Sequence, residues 1–156
     1  MITFREATEN DYSEIVNIPR SENELLYAFC SAKYPLTVQQ FVEQTKDRLH
    51  KTVGIINGKT AAFADMYNIV NDDSVFIGNI LVNVEHRGSG IAGKLLDYMA
   101  DQSKLYGAKS IKLNCWSENV RGLLFYTKCG YKPSVIKKSE NNGRIIAVIE
   151  MIKSLD

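Results

Sequence analysis

The stretch Arg87-Gly88-Ser89-Gly90-Ile91-Ala92-Gly93-Lys94 decides how this chain is interpreted. It lies between an apolar run, Ile77 to Val84, and a segment with helical periodicity, Ile91 to Tyr106, so it predicts a strand, a tight loop and a helix. Glycines allow a ligand to approach the loop backbone closely. The N–H groups of a helix's first turn lack helical partners and favour an anion. The stretch therefore predicts a site for a phosphate-bearing small molecule.

Three phosphate-loop motifs overlap here. Gly88-x-Gly90-x-x-Gly93 fits the dinucleotide fingerprint, and Gly88 to Lys94 nearly fits the Walker A loop. Walker A requires a hydroxyl for Mg²⁺ at the next position, where this chain has Leu95. The dinucleotide motif follows its strand almost directly in a parallel unit, whereas Asn83 to Arg87 intervene here and the preceding elements are expected to be antiparallel. Both nucleotide-binding interpretations are therefore disfavoured.

The third motif is Arg87-x-x-Gly90-x-Ala92, which is similar to the pyrophosphate loop (Q/R)-x-x-G-x-(G/A) of the GNAT family of N-acetyltransferases. A second signature follows about 30 residues later: Asn119-x-x-Gly122-x-x-Phe125-Tyr126-x-Lys128-x-Gly130-Tyr131 resembles the family's N-x-x-A-x-x-L-Y-x-x-x-G-F. The resemblance implies one GNAT domain over residues 1–156, with a mixed α/β (α+β) fold. Its sheet would be mixed but mostly antiparallel, with about six to seven strands, about four flanking helices and a splayed parallel strand pair at the cofactor site.

The resemblance also implies acetyl-CoA as co-substrate and assigns roles to residues. The pyrophosphate would be held by Arg87, Gly88, Ser89, Gly90, Ile91, Ala92 and Gly93. Ile80, Leu81 and Val82 would offer backbone groups to pantetheine, with the Leu81 N–H as donor to the thioester oxygen. Asn119 would cap its helix and contact the cofactor. Tyr126 would be the general acid, because a phenol has a pKa suited to protonating a departing thiolate.

Structural alternatives stay open for three positions, Arg87, Tyr126 and Gly78. Arg87 is either a ligand for the pyrophosphate or a solvated surface arginine. Tyr126, beside apolar neighbours, is either the acid or a core tyrosine. Gly78, inside a strand pattern, is either the bulge that splays the strand pair or a packing glycine.

The general base has no clear counterpart. Ribosomal-protein alanine acetyltransferases, a family branch with a very similar second signature, carry a Glu five residues before the Asn, where this chain has Asn114. Substitute bases are Asp65, a water held by Asn79 or Asn114, and Glu24. No Cys–His or Ser–His pairing indicates an acyl-enzyme, which favours direct transfer in a ternary complex.

The leading hypothesis is an acyl-CoA-dependent enzyme that acetylates a primary amine of a small metabolite, an antibiotic or a protein. The identity of the amine, and whether the acyl group is acetyl or longer, stay open. The acceptor is expected against residues 20–36, where Tyr27, Phe29 and Tyr34 line a pocket or belong to the core. The alternative is a non-catalytic acyl-CoA-binding module, which the absence of the branch's Glu leaves open and the presence of Tyr126 argues against.

Composition limits the partners. A chain of 156 residues with 45% hydrophobic and 24% charged residues is expected to form one globular domain. A net charge of +1 offers no basic field for nucleic acid or an anionic membrane. No apolar run is long enough to span a bilayer, and the N-terminus does not resemble a signal peptide. Cys30, Cys115 and Cys129 are odd in number and lack metal-ligand spacing, so we expect no metal and a reducing, cytoplasmic setting. We expect a monomer or homodimer.

Periodicity and turn residues predict the elements. Strands are expected over 2–7, 51–56, 60–69, 75–84, 109–115, 131–135 and 145–152, and helices over 8–18, 37–49, 91–106 and 119–128. Asn57-Gly58 predicts a tight hairpin turn, and residues 20–36 are expected to be irregular.

Overall fold

Seven strands form one mixed sheet in a computed structural model that describes all 156 residues. The strands are β1 Thr3–Glu6, β2 Leu49–Ile56, β3 Lys59–Val70, β4 Ser74–Val82, β5 Ser110–Trp116, β6 Lys132–Asn141 and β7 Arg144–Ser154. Their order across the sheet is β1-β2-β3-β4-β5-β7-β6, and only β4 and β5 are parallel. The predicted mixed sheet is thereby confirmed.

Five helices pack on the two faces of this sheet. They are α1 Tyr12–Ile15, α2 Glu22–Ala28, α3 Val38–Thr45, α4 Ile91–Lys104 and α5 Val120–Lys128, with short 3-10 turns at Glu9–Asp11 and Val84–His86. One buried cluster includes Leu95 and Met99 of α4, and a second includes Ile15 and Phe41 from α1 and α3. The apolar row of α4 therefore forms core, as its spacing predicts. In α3 only Phe41 and Thr45 are buried, and Val38 and Val42 of the predicted face are exposed.

The expectation that residues 20–36 are irregular was wrong, because they contain α2. Ser21 caps this helix by accepting a hydrogen bond from the Glu24 N–H (3.2 Å), and Leu25 is its buried residue. Because α2 has only two turns and one buried side chain, its sequence shows almost no helical pattern of apolar residues. The sequence did carry one signal, the capping pattern Ser21-x-x-Glu24.

The parallel pair separates beyond its first four residues. Register runs from Ser74 opposite Ser110 to Ile77 opposite Leu113 and then ends, although both strands continue. The second half of β4 therefore has an open backbone edge on the side of β5.

A bulge lies where the separation begins, one residue later than predicted. Gly78 still pairs with Asp65, whereas Asn79 and Ile80 together stand opposite a single residue of β3. Asn79 takes the left-handed conformation at φ 50° that the extra residue requires. Gly78 is instead a packing glycine, because a Cβ there would lie 2.4 Å from the Arg48 Nη1.

Candidate functional site

The loop before α4 presents open backbone to a large cavity. Gly88 and Gly90 have φ of 77° and 85°, and a Cβ at either position, or at Gly93, would meet nothing within 4 Å. The first helical hydrogen bond runs from the Lys94 N–H to the Gly90 carbonyl (3.2 Å), so the three preceding N–H groups of α4 have no helical partner. The local geometry suits an anion such as a pyrophosphate.

This cavity has a volume of about 510 Å³ and lies between the loop and α5. Arg121 and Lys128 of α5 line the wall facing the loop, next to Phe125 and Cys129. Sequence reasoning missed both cations, although their spacing of seven residues places them on one face of a helix. The Ser89 hydroxyl, by contrast, donates to the His86 carbonyl and closes the loop on itself.

Arg87 connects the loop to α2. Its Nη1 and Nη2 donate to the two carboxylate oxygens of Glu24 at 2.8 and 2.9 Å, and its Nε donates to the Val82 carbonyl at 3.0 Å. The guanidinium holds the pKa of Glu24 below its usual range. Arg87 is therefore bound to Glu24 in this structure. Both residues line a cavity of about 350 Å³ along β4, and Arg87 also lines the cavity of the glycine-rich loop.

The register of β4 contradicts the assignment of the Leu81 N–H as the thioester donor. The Asn83 N–H donates to the Ala61 carbonyl (2.8 Å), so Leu81, two residues earlier, forms a hydrogen-bonded pair with Phe63 on β3. The residues between these pairs turn their backbone groups to the open edge. Val82 is one of them, which is why its carbonyl is free to accept from Arg87.

Asn119 and Tyr126 lie across the groove from β4. The Asn119 Oδ1 accepts from the Gly122 N–H (3.0 Å) and caps α5, as predicted from the sequence. A Cβ at Gly122, where the family signature has Ala, would lie 2.5 Å from the Asn119 Nδ2 in this structure. Tyr126 lines a small cavity with Asn119, Ile80 and Glu24, its hydroxyl makes no hydrogen bond to the protein, and burial raises the pKa of its phenol.

A buried charge cluster lies beneath the bulge. Asp65 is 0% exposed, accepts from the Asn79 Nδ2 (2.6 Å) and forms an ion pair with Arg48 (Nη1 to Oδ1, 3.1 Å). Burial raises the pKa of Asp65 to about 6, although the positive charge of Arg48 acts to lower it. Because Asp65 is enclosed, it cannot contact an acceptor, and the suggestion that it is the general base is not supported.

Asn114 lies on the exposed face of β5, where its Nδ2 donates to the Tyr67 hydroxyl (2.9 Å). The Arg48 guanidinium stacks on the Tyr67 ring, 4.0 Å from its centroid. Sequence reasoning did not identify Arg48 or Tyr67, because no motif marks either residue. Of the aromatic residues predicted to contact the acceptor, Tyr27 lines the cavity that contains Arg48, Tyr67 and Asn114. Phe29 is 2% exposed and belongs to the core.

Neither a metal-ion site nor a membrane-spanning helix is found in this structure. The His, Cys, Asp and Glu residues form no group of three or more that could hold a metal ion. All five helices fall short of the length and apolarity that a membrane span requires.

A splayed parallel strand pair, a bulge and a glycine-rich helix N-terminus at the gap define a GNAT-fold protein. The profile of the Acetyltransferase (GNAT) family matches residues 12–131, and the chain belongs to this family. The [ribosomal protein bS18]-alanine N-acetyltransferase of Escherichia coli strain K12 is 24% identical over 119 residues, which cover 74% of this chain and 79% of that protein.

Solved structures show the same fold. Spermidine N-acetyltransferase from Vibrio cholerae, in complex with CoA and spermine, superposes with a TM-score of 0.79 at 20% identity, over 98% of this chain and 95% of that one. The ribosomal-protein-S18-alanine N-acetyltransferase from Escherichia coli gives 0.74 at 21% identity, over 100% and 95%. The names of these relatives specify different acceptors, so the acceptor of this chain has to be inferred from its own cavity.

Proposed function

We propose that this protein transfers the acetyl group of acetyl-CoA directly to a primary amine within a ternary complex. The observation that carries the proposal is the continuous groove from the open edge of β4 to the N-terminus of α4. An extended pantetheine can pair with a free strand edge, and a pyrophosphate fits free N–H groups at a helix start. The absence of any atom within 4 Å of the Cβ positions of Gly88, Gly90 and Gly93 supports this fit.

The loop residues Arg87 to Gly93, with Arg121 and Lys128 opposite, would hold the pyrophosphate and the neighbouring phosphate. Arg87 would exchange part of its bond to Glu24 for the incoming anion. Along β4, the Ile80 and Val82 backbone groups would pair with pantetheine, and Asn119 lies across the same groove. Leu81 contributes its side chain to the core instead, where it is 6% exposed.

Acetyl-CoA supplies a thioester, which is the acetyl donor. The Ile80 N–H, one residue before the Leu81 pair, would stabilise the carbonyl oxygen as negative charge develops on it. Tyr126 would donate its proton to the departing sulfur, since the raised phenol pKa keeps that proton in place at neutral pH.

The amine must lose a proton before or during its attack on the carbonyl carbon. Glu24 is the one carboxylate among the residues that line the cavity of Ile80, Asn114 and Tyr126. Its lowered pKa keeps it ionised at neutral pH. When Arg87 exchanges part of its bond to Glu24 for the incoming anion, one Glu24 oxygen would be free to accept this proton. We therefore assign Glu24 the role of general base, in place of the branch's Glu at the Asn114 position.

The first experiment is calorimetric titration of the purified protein with acetyl-CoA, CoA, NAD and ATP, followed by thiol release from acetyl-CoA with a panel of amines. Heat with acetyl-CoA and CoA, together with amine-dependent thiol release, supports the proposal. Heat with NAD or ATP alone contradicts it. Heat with CoA but no thiol release from any amine supports the non-catalytic acyl-CoA-binding module, which Asn114 leaves open.

A further inference from the structure

A second cavity, of about 220 Å³, adjoins the acyl end of the groove. It shares its inner wall, including Gly78, Asn79 and Asn114, with the small cavity of Ile80 and Tyr126. A molecule in this second cavity would therefore lie beside the thioester, where an acceptor must bind. Its lining contains one cation, Arg48, and no Asp or Glu.

Arg48 is held in place but keeps unused hydrogen-bonding capacity. Only its Nη1 bonds to the protein, at 3.1 Å from the Asp65 Oδ1, so its Nη2 and Nε have no protein acceptor. The Tyr67 ring supports the guanidinium face, and the missing Cβ of Gly78 makes room for Nη1. The side chain is 25% exposed, and it lines the cavity. A guanidinium with a fixed plane and two free donors suits a carboxylate.

Hydrogen bonds within the protein show which atoms of Tyr67, Asn114 and Asn79 remain free in this cavity. The Tyr67 hydroxyl accepts a hydrogen bond from Asn114, which leaves its own proton free to donate. The amide nitrogens of Asn114 and Asn79 are already engaged, so their oxygens remain as acceptors. Donors thus gather at Arg48 and Tyr67, and acceptors lie at the wall shared with the thioester cavity.

We propose that the acceptor carries a carboxylate close to its primary amine, as amino acids do. Arg48 and Tyr67 bind the carboxylate, and Asn114 and Asn79 orient the amine toward the thioester. A polyamine fits poorly, because no acidic side chain lines the cavity to receive its second cation. This inference rests on the proposed acetyltransferase function and names the substrate class of that site.

The test compares kcat/KM for a series of amino acids with kcat/KM for their carboxamides, measured by thiol release. Wild type is expected to prefer the carboxylates. Arg48→Gln is expected to reduce that preference by about 10- to 100-fold, the effect of losing one charge-assisted contact. Comparing the ratio between proteins cancels differences in amine reactivity and in the fraction of folded enzyme.

Two further variants complete the design. Arg5→Gln breaks another arginine–aspartate pair, Arg5 with Asp11 at 2.8 Å, outside the cavity, and should leave the ratio unchanged. Arg48→Gln with Asp65→Asn removes the unpaired buried carboxylate that the single variant leaves, and should lose the preference equally.

An unchanged ratio in Arg48→Gln overturns the inference, as does a wild type that prefers carboxamides, polyamines or peptides. Binding of acetyl-CoA with no acetylation of any amino acid also overturns it. The absence of both acetyl-CoA binding and thiol release is a different result, because it contradicts the proposed function itself.

Discussion

The Tyr126 phenol lines the small cavity of Ile80 and Asn119 and has no hydrogen-bond partner in the protein. If it is the general acid, Tyr126→Phe should lower kcat by about 10²- to 10⁴-fold and leave the Kd for acetyl-CoA unchanged. Tyr131→Phe is the matched control, since its ring lies 6.1 Å from that of Tyr126 but outside the cavity. Steady-state kinetics and calorimetry on both variants would check this, and an unchanged kcat in Tyr126→Phe removes the acid assignment.

Asp65 gives a pH dependence of stability with a definite sign. Folding raises its pKa from 3.8 to about 6, mainly through burial, so the folded state binds more protons than the unfolded state between these values. The contribution of Asp65 to the free energy of unfolding should therefore fall as pH rises from about 4 to 6, and then stay constant. Urea unfolding of wild type and Asp65→Asn across this range measures the contribution as a difference.

Asp11 provides the opposite sign as a control. The side-chain hydrogen bond from Arg5 lowers its pKa to about 2, so its stabilisation is present above pH 3.8 and is lost as pH falls toward 2. The difference in unfolding free energy between wild type and Asp11→Asn should therefore rise as pH increases from about 2 to 3.8. The corresponding difference for Asp65→Asn should not rise with pH. A constant Asp65 difference would mean that its carboxyl is not buried as described.

At the scale of elements, the N-terminus of α4 is the proposed anion site. Gly90→Glu places a carboxylate where the pyrophosphate should bind and should weaken acetyl-CoA binding by at least about tenfold, measured by calorimetry. Gly58→Glu introduces the same side chain at a similar φ, 77° against 85°, in the hairpin turn between β2 and β3. It therefore carries a similar backbone strain and should keep wild-type affinity. Equal affinity in the two variants would refute the loop assignment.

The short helix α2 brings Glu24 to the groove. Glu24→Gln should lower kcat by about 10²-fold or more and flatten the acidic limb of the pH profile, because the proposed proton acceptor is lost. Glu22→Gln, on the exposed side of the same first turn, is the control and should behave as wild type. A Glu24→Gln enzyme with normal kcat and a normal profile would exclude the base role.

At the scale of the whole molecule, the parallel contact between β4 and β5 is short, with four residue pairs. A donor in the groove would contact β4 and α4 on one side and α5 on the other, and so would bind only the folded chain. Acetyl-CoA at about 100 times its Kd should then add about 2.7 kcal/mol to stability, which is about 5 to 10 °C in Tm for a chain of this size. Scanning calorimetry with acetyl-CoA, and with NAD and ATP as controls, measures the shift; no shift with acetyl-CoA would contradict the donor site.

Much of the fold follows from local features of the chain. Asn57 and Gly58 take positive φ and form the predicted hairpin turn, and Asn142 and Gly143 do the same between β6 and β7. The apolar rows of α4 are buried as their spacing predicts. The strand β6 extends six residues past the predicted end at 135, to Asn141, since an exposed edge strand carries little apolar alternation.

Local sequence is enough to predict the glycine-rich loop before α4, the cap of α5 and the hairpins, because each depends on the conformations that a few neighbouring residues allow. The surroundings of Ile80 and Tyr126 depend instead on tertiary contacts. The pairs Arg48–Asp65 and Arg87–Glu24 join residues 17 and 63 positions apart, which sequence spacing does not report. The bulge at Asn79 fixes whether Ile80 or Leu81 faces the groove, because strand groups alternate and a one-residue shift in register reverses their direction.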